Sequence, residues 1–243
     1  MNRRNGVFLL VFLIFFLFLI NYPWMNSYLI KGDYEKEEGV VVRVIDGDTL
    51  VMGNLTIRLL GINTPEKGER YYNEAKMFLE RIVLNKSIEL ERGKENFDKY
   101  KRSLRYIFVN EENVNLMLIE NGFANAYFPS GKDKYADEFY YAWDDCVESN
   151  KNLCEKSNNK CANCINVKEL EINSQKIVLE NYCTFECDAE KWQISGEGRK
   201  KTEIGKKIPE NTELEIKTEN TWLQTDTLFL RDDNGKLILY YHY

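Results

Sequence analysis

The stretch VVVRVIDGDTLVM, residues 40–52, decides how the chain is read. Val40 to Ile45 is β-branched and apolar apart from Arg43, and Thr49 to Met52 resumes that texture. Asp46, Gly47 and Asp48 between them are turn residues, so the segment predicts two strands joined by a tight connection. In extended backbone Asp46 and Asp48 share a face, which offers one or two carboxylates to a hard cation. Asp and Gly are also ordinary turn residues, so the tripeptide alone leaves a plain turn and a metal site both open.

Downstream, TIRLLGI (56–62) is another strand, and in YYNEAKMFLERIVL (71–84) Tyr71, Ala75, Phe78 and Ile82 recur at helical spacing. SIELERGKENFDKYKRSLRYIFV (87–109) reads as strand, long turn, strand. NVNLMLIENG (113–122) is a short helix stopped by Gly122, and a further helix is expected from Tyr135 to Glu148. A polar, cysteine-containing linker over 156–164 then leads to short strand-like runs: INVKELEI, KIVLENY, KWQISG, TELEIKT, TLFLRDD and KLILYYHY. Their spacing predicts a small all-β sandwich over 165–243.

Upstream, Arg3 and Arg4 precede an uninterrupted apolar run from Val7 to Ile20, followed by Tyr22, Pro23 and Trp24, which suit a membrane interface. Extension to Met25 gives nineteen residues, close to the ~20 usual for a span. No small-residue cleavage pair follows. Residues 1–30 are therefore read as an uncleaved signal anchor, a transmembrane helix, rather than a cleaved signal peptide. The tether is 31–39, and the positive-inside rule places the remainder on the extracytoplasmic face, or makes it secreted if the segment is cut.

Cys146, Cys154, Cys161, Cys164, Cys183 and Cys187 are even in number and lie in the C-terminal half. Export favours disulfides. CANC (161–164) and CTFEC (183–187) are also spaced as in four-cysteine zinc sites, so both readings stand at this stage. The chain carries 33 Lys+Arg against 39 Asp+Glu, which excludes a global electrostatic attraction to a polyanion. The acidic excess lies in 165–243, with eleven basic and fifteen acidic residues, whereas 40–129 balances thirteen with thirteen. The basic run GRKK (198–201) reads as a solvated loop.

Arg58 sits in an apolar strand and needs an anionic partner, either a structural acid or an anionic ligand. Glu66 follows the rigid Pro65. Lys99, Lys101, Arg102 and Arg105 cluster with aromatic residues at a turn where they can meet phosphate. Together these make a carboxylate metal site, two arginines able to fork onto a phosphodiester, and a carboxylate able to act on water. The single histidine, His242, lies at the C-terminus, which argues against histidine catalysis.

VIDGDT, RLLGINTPE, NEAK, DKYKRSL and NGFANAY, in this order, resemble the staphylococcal nuclease (thermonuclease) family over residues 40–155. The resemblance implies an OB-fold β-barrel with packed helices and calcium-dependent cleavage of DNA and RNA to 3′-phosphate products. It implies Asp48 as a metal carboxylate supported by Asp46, the Thr64 backbone carbonyl on the metal, Arg58 and Arg102 on the phosphate, and Glu66 on the attacking water. Lys99, Tyr100 and Tyr127 fall where the family contacts bound nucleotide. At Asn63 the family has a metal-binding aspartate; the amide oxygen can still coordinate Ca2+ but brings no charge, so weaker metal binding is expected.

The region 165–243 resembles a lamin-tail domain, an immunoglobulin-like sandwich, with Trp192 as core and a nucleic-acid, envelope or protein ligand implied. Deleting it is expected to leave turnover largely intact. The rival to a nuclease is an OB-fold module that binds single-stranded nucleic acid or protein without cleaving.

Overall fold

The computed structural model describes residues 12, 16, 37–198, 200–218, 222–223 and 226–243. Apart from residues 12 and 16, the expected anchor lies outside the described residues. Among the described residues no helix is long and apolar enough to cross a membrane. The chain divides into Met1–Lys36 and Glu37–Tyr243, and the second unit carries the features below.

The first strands are β1 (Glu37–Val44), β2 (Thr49–Met52), β3 (Leu55–Leu59) and the short β4 (Ile62–Asn63). They are followed by β5 (Ser87–Phe97), β6 (Ser103–Val109), β7 (Glu112–Asn113) and β8 (Asn125–Ala126). β1 pairs antiparallel with β2 and β5, β2 with β3, and β5 with β6. The parallel pairing of β3 with β6, in which Arg58 lies opposite Leu104, closes a five-strand barrel consistent with an OB-fold. Closure leaves the five strands no free edge inside the barrel. It also brings the DGDT turn, β3 and the β5–β6 turn to one end.

Three helices cover the barrel: α1 (Tyr72–Val83), α2 (Val114–Glu120) and α3 (Ala136–Ser149). α1 starts after Tyr71 because that residue is left-handed, φ 67°. The Asn113 side chain accepts from the amides of Asn115 and Leu116 and so caps α2. Gly47 is required by close approach: a Cβ there would lie 2.9 Å from the Ala75 Cβ and 2.8 Å from the Thr64 hydroxyl.

Beyond α3 come β9 (Ile165–Glu171), β10 (Lys176–Asn181), β11 (Cys187–Asp188), β12 (Gln193–Ser195) and β13 (Lys201–Glu203). The last strands are β14 (Lys207–Ile208), β15 (Thr212–Lys217), β16 (Thr227–Arg231) and β17 (Leu237–His242). They form antiparallel sheets ordered β15-β10-β9 and β13-β12-β16-β17, with β11 paired to β14. Trp192, Ile177, Leu179 and Ile194 fill the core between them.

This tail does not stand apart from the barrel. In β16, Leu228 and Leu230 enter the tail core while Phe229, one step out of phase, enters the barrel-and-helix core with Leu237 of β17. Trp143 of α3 meets Phe229 edge-on, ring centroids 5.1 Å apart, and the Tyr240 hydroxyl donates to Asp144 at 2.7 Å. The segment read as a linker has structure of its own: it carries a 3-10 turn at Lys160–Asn163, and Lys156 bridges to Leu237.

The cysteines form three disulfides. Cys146–Cys154 ties α3 to the turn that follows it, while Cys161–Cys187 and Cys164–Cys183 join CANC to CTFEC. The grouping of potential metal ligands among the described residues is Cys161, Cys183 and Cys187. All three sulfurs are in disulfides, so none is a thiolate for zinc.

Candidate active site

The open end of the barrel holds a cleft of about 660 Å³. Of the residues singled out from sequence, Asp46, Asp48, Arg58, Asn63, Glu66, Lys99, Tyr100, Arg102 and Tyr127 all line it. Thr64 sits behind them and no cysteine reaches the cleft wall.

Asp48 is the hub. Its Oδ2 accepts from the Thr64 amide at 3.0 Å and the Thr64 hydroxyl at 2.8 Å, and pairs with Arg58 Nη2 at 3.1 Å. Its Oδ1 accepts from the Thr49 hydroxyl at 3.1 Å. The register that sets Thr49 opposite Arg58 on the β2–β3 ladder makes this convergence possible. Asp46 accepts from the Asp48 amide at 3.2 Å, and its carboxyl is held above the usual range by burial and then by the negative charge of Asp48.

Arg58 is anchored at three points: Nη1 donates to the Leu59 carbonyl at 2.6 Å, and Nη2 lies between Asp48 Oδ2 and Asn63 Oδ1, the latter at 3.2 Å. Arg102 approaches from the β5–β6 turn. Its Nε donates to Asp98 Oδ2 at 2.6 Å and its Nη1 to the Thr49 hydroxyl at 3.4 Å. Asp98 Oδ1 accepts from the amides of Tyr100 and Arg102, both at 2.9 Å, which folds the turn that presents the arginine. The two guanidiniums are thus joined through Thr49 and Asp48. The cations of Lys99 and Arg102 lie over the exposed Tyr100 ring at 5.1 and 5.4 Å.

Glu66 is exposed at the rim. Its amide donates to Glu69 Oε2 at 2.9 Å, and the Glu69 amide returns a bond to the Glu66 carbonyl at 2.9 Å. Tyr127 is half-buried, which raises its phenol pKa.

The oxygens of Asp46, Asp48 and Asn63 suit a hard cation such as calcium, with one charge fewer at position 63 than three carboxylates would give. The fit rests on Asp46, Asp48 and Asn63 lining one cleft wall, while the Arg58 guanidinium already shares Asp48 Oδ2 and Asn63 Oδ1, so a cation would have to share those oxygens with it.

The sequence singled out none of the residues that brace this site from outside the barrel. Asn63 Nδ2 donates to the backbone carbonyl of Glu197 at 3.1 Å, and Asn125 Nδ2 donates to the same oxygen at 3.0 Å. Gly198, next along, lies against Tyr127 on the cleft wall. Lys201, read from sequence as part of a solvated loop, pairs with Glu69 at 2.6 Å. Thr49 and Asp98 complete the site, and an aspartate four residues before Arg102 is a local turn signal in the sequence.

The staphylococcal nuclease homologue model matches residues 56–156. The thermonuclease of Staphylococcus intermedius is 31% identical over 134 residues, covering 51% of this chain and 80% of that protein. The chain belongs to the staphylococcal nuclease family. This nuclease homologue is also 36% identical over 99 residues to an uncharacterized endonuclease of Haemophilus influenzae, covering 38% of this chain and 54% of that one. It is 34% identical over 167 residues to an uncharacterized protein of Methanocaldococcus jannaschii, covering 55% and 80% respectively. These relatives support a nuclease that hydrolyses phosphodiesters internally. The family match stops at residue 156.

Proposed function

We propose that the chain is a membrane-anchored, extracytoplasmic, calcium-dependent endonuclease that hydrolyses DNA or RNA to 3′-phosphate products. The observation that carries this reading is the linkage of Arg58 and Arg102 through Asp48 and Thr49 in one cleft, with Glu66 on its rim. The two guanidiniums bind a phosphodiester and neutralise charge that grows on its oxygens as water attacks in line. Glu66 accepts a hydrogen bond from that water and orients or deprotonates it. Lys99 and Tyr100 hold the neighbouring nucleotide by charge and stacking.

Asp46, Asp48, Asn63 and the Thr64 carbonyl would hold calcium, which when bound supplies Lewis-acid stabilisation of the phosphoryl oxygens. Anchoring rests on the apolar run Val7–Ile20 and the preceding arginines. The tail's likeness to a lamin-tail, immunoglobulin-like sandwich, with an envelope, protein or nucleic-acid ligand, rests on its sequence pattern.

A non-cleaving module that binds single strands is the second reading, because the Asn63 oxygen is engaged by Arg58. Plasmid and RNA digestion by a soluble form lacking residues 1–30, with millimolar calcium or with chelator, separates the two. Calcium-dependent cleavage that is lost in Glu66→Ala with Arg102→Ala supports the nuclease. A folded sample that leaves both substrates intact with calcium supports the binder.

A further inference from the structure

Besides the packing of the tail on α3, a second set of contacts between barrel and tail falls on the stretch that carries the chemistry. Three tail residues grip residues 63–70 in order. The Glu197 carbonyl takes the Asn63 amide, with Asn125 on the same oxygen. Lys201 takes Glu69, whose other carboxylate oxygen holds the Glu66 amide. The Asn234 carbonyl takes Arg70 Nη1 at 3.0 Å, while Arg70 Nη2 and Lys236 share Glu155.

We infer that the carboxy-terminal domain is a positioning part of the active site, its Glu197 carbonyl and Lys201 side chain holding the turn from Asn63 to Glu69 so that Arg58 and Glu66 face the phosphodiester together. This rests on the nuclease reading above and assigns Asn63, Asn125, Glu69 and Lys201 as positioning residues. The chemistry of Asn63 supports it. One amide must satisfy a guanidinium on one side and a carbonyl on the other, so its oxygen turns to Arg58 and its nitrogen to Glu197. An aspartate has no hydrogen for that carbonyl. Position 63 therefore reads as an adaptation to the docked tail, at the cost of a metal charge.

The Lys201–Glu69 pair is partly exposed, 38% and 18% at the side chains, and such pairs contribute only about 0–1 kcal/mol to stability. Its consequence is geometric: it fixes the carboxylate that caps the amide of Glu66. Catalytic groups lose rate steeply when displaced by about 1 Å.

The test uses the soluble form lacking residues 1–30 with three substitutions, Lys201→Glu, Lys201→Arg and Asn125→Ala. Two readouts are taken: amide hydrogen exchange over residues 63–69, which needs no catalysis, and steady-state hydrolysis of a small nitrophenyl thymidine phosphodiester with calcium. Lys201→Glu and Asn125→Ala are expected to speed exchange over 63–69 about tenfold and to lower kcat about five- to tenfold, with KM within twofold. Lys201→Arg is expected to restore both values to within twofold of the parent. The inference is overturned if exchange over 63–69 is unchanged in Lys201→Glu and Asn125→Ala. It is overturned equally if the loss lies in KM alone, which makes Lys201 a phosphate contact. A parent protein that cleaves neither the diester nor DNA defeats the nuclease reading, while the exchange readout still reports whether the tail holds the turn.

Discussion

The side-chain amide of Asn63 and the backbone carbonyl of Glu197, 134 positions apart in the chain, meet at 3.1 Å. The bond is buried, and its donor belongs to the barrel cleft while its acceptor belongs to the tail.

Asn63→Asp removes this donor and sets a carboxylate against a carbonyl oxygen. Without calcium the variant is expected to lose about 1–3 kcal/mol, the usual range for an unsatisfied buried polar group. With calcium the added charge binds the ion more tightly, so the stabilisation by saturating calcium should exceed that of the parent. Urea unfolding with and without calcium checks both. A variant as stable as the parent in chelator would contradict the structural role of the amide.

Arg58→Lys keeps the charge but replaces a planar fork with a point donor, which cannot serve Leu59, Asn63 and Asp48 at once. The expected loss in kcat is about 10²–10³-fold, as for removal of a transition-state donor. Single-turnover cleavage of a labelled oligonucleotide measures it.

Glu197 is 1% exposed; its carboxyl accepts from the Thr227 hydroxyl, and its amide donates to Asp226. Burial, and then the charge of Asp226, push its pKa from 4.5 to about 8. A raised acid pKa means the folded state holds a proton the unfolded state has released. The associated stability is complete below pH 4.5, falls as pH rises, and is gone above about 8. Glu197→Gln keeps an acceptor for Thr227 without the ionisation. Denaturant midpoints from pH 5 to 9 should decline in the parent and flatten in the variant.

Removal of residues 165–243 strips Phe229 and Leu237 from the core that packs under α3 and exposes Trp143. Vacating two large apolar side chains costs several kcal/mol, on the order of 2–5 each. The truncated nuclease is therefore expected to melt well below the parent and to lose activity, contrary to the independence that its sequence suggests. Thermal unfolding followed by digestion assay decides it.

Replacing Cys161 and Cys187 by serine opens a disulfide of sequence separation 26 inside the tail. The expected destabilisation is about 2–4 kcal/mol, read by chemical denaturation. Thiol titration of the unfolded parent should find no free cysteine among the six.

The parts of the site made by local chemistry were legible in sequence. Asp46, Gly47 and Asp48 announce a turn, Pro65 stiffens the approach to Glu66, and the apolar run around Arg58 marks a strand whose arginine must find an anion. The helices were placed to within a residue or two; Tyr71, for example, falls outside α1 because its backbone is left-handed. What could not be read was whatever depends on distant chain meeting. TLFLRDD reads as a strand, but nothing in it says that Phe229 and its neighbours Leu228 and Leu230 face different cores. GRKK carries no mark that Lys201 ends on Glu69. The six cysteines fit either bridges or a metal until the folded positions of CANC and CTFEC fixed the partners.

The shared hold of Asn63 and Asn125 on one carbonyl also bears on how such chains diversify. A lineage that regains an acid at position 63 gives up the seat for the tail, and one that loses the tail is free to regain the acid. Across related genomes the pair of asparagines should therefore be inherited together with a carboxy-terminal β-domain, and an aspartate at the first position should accompany its loss.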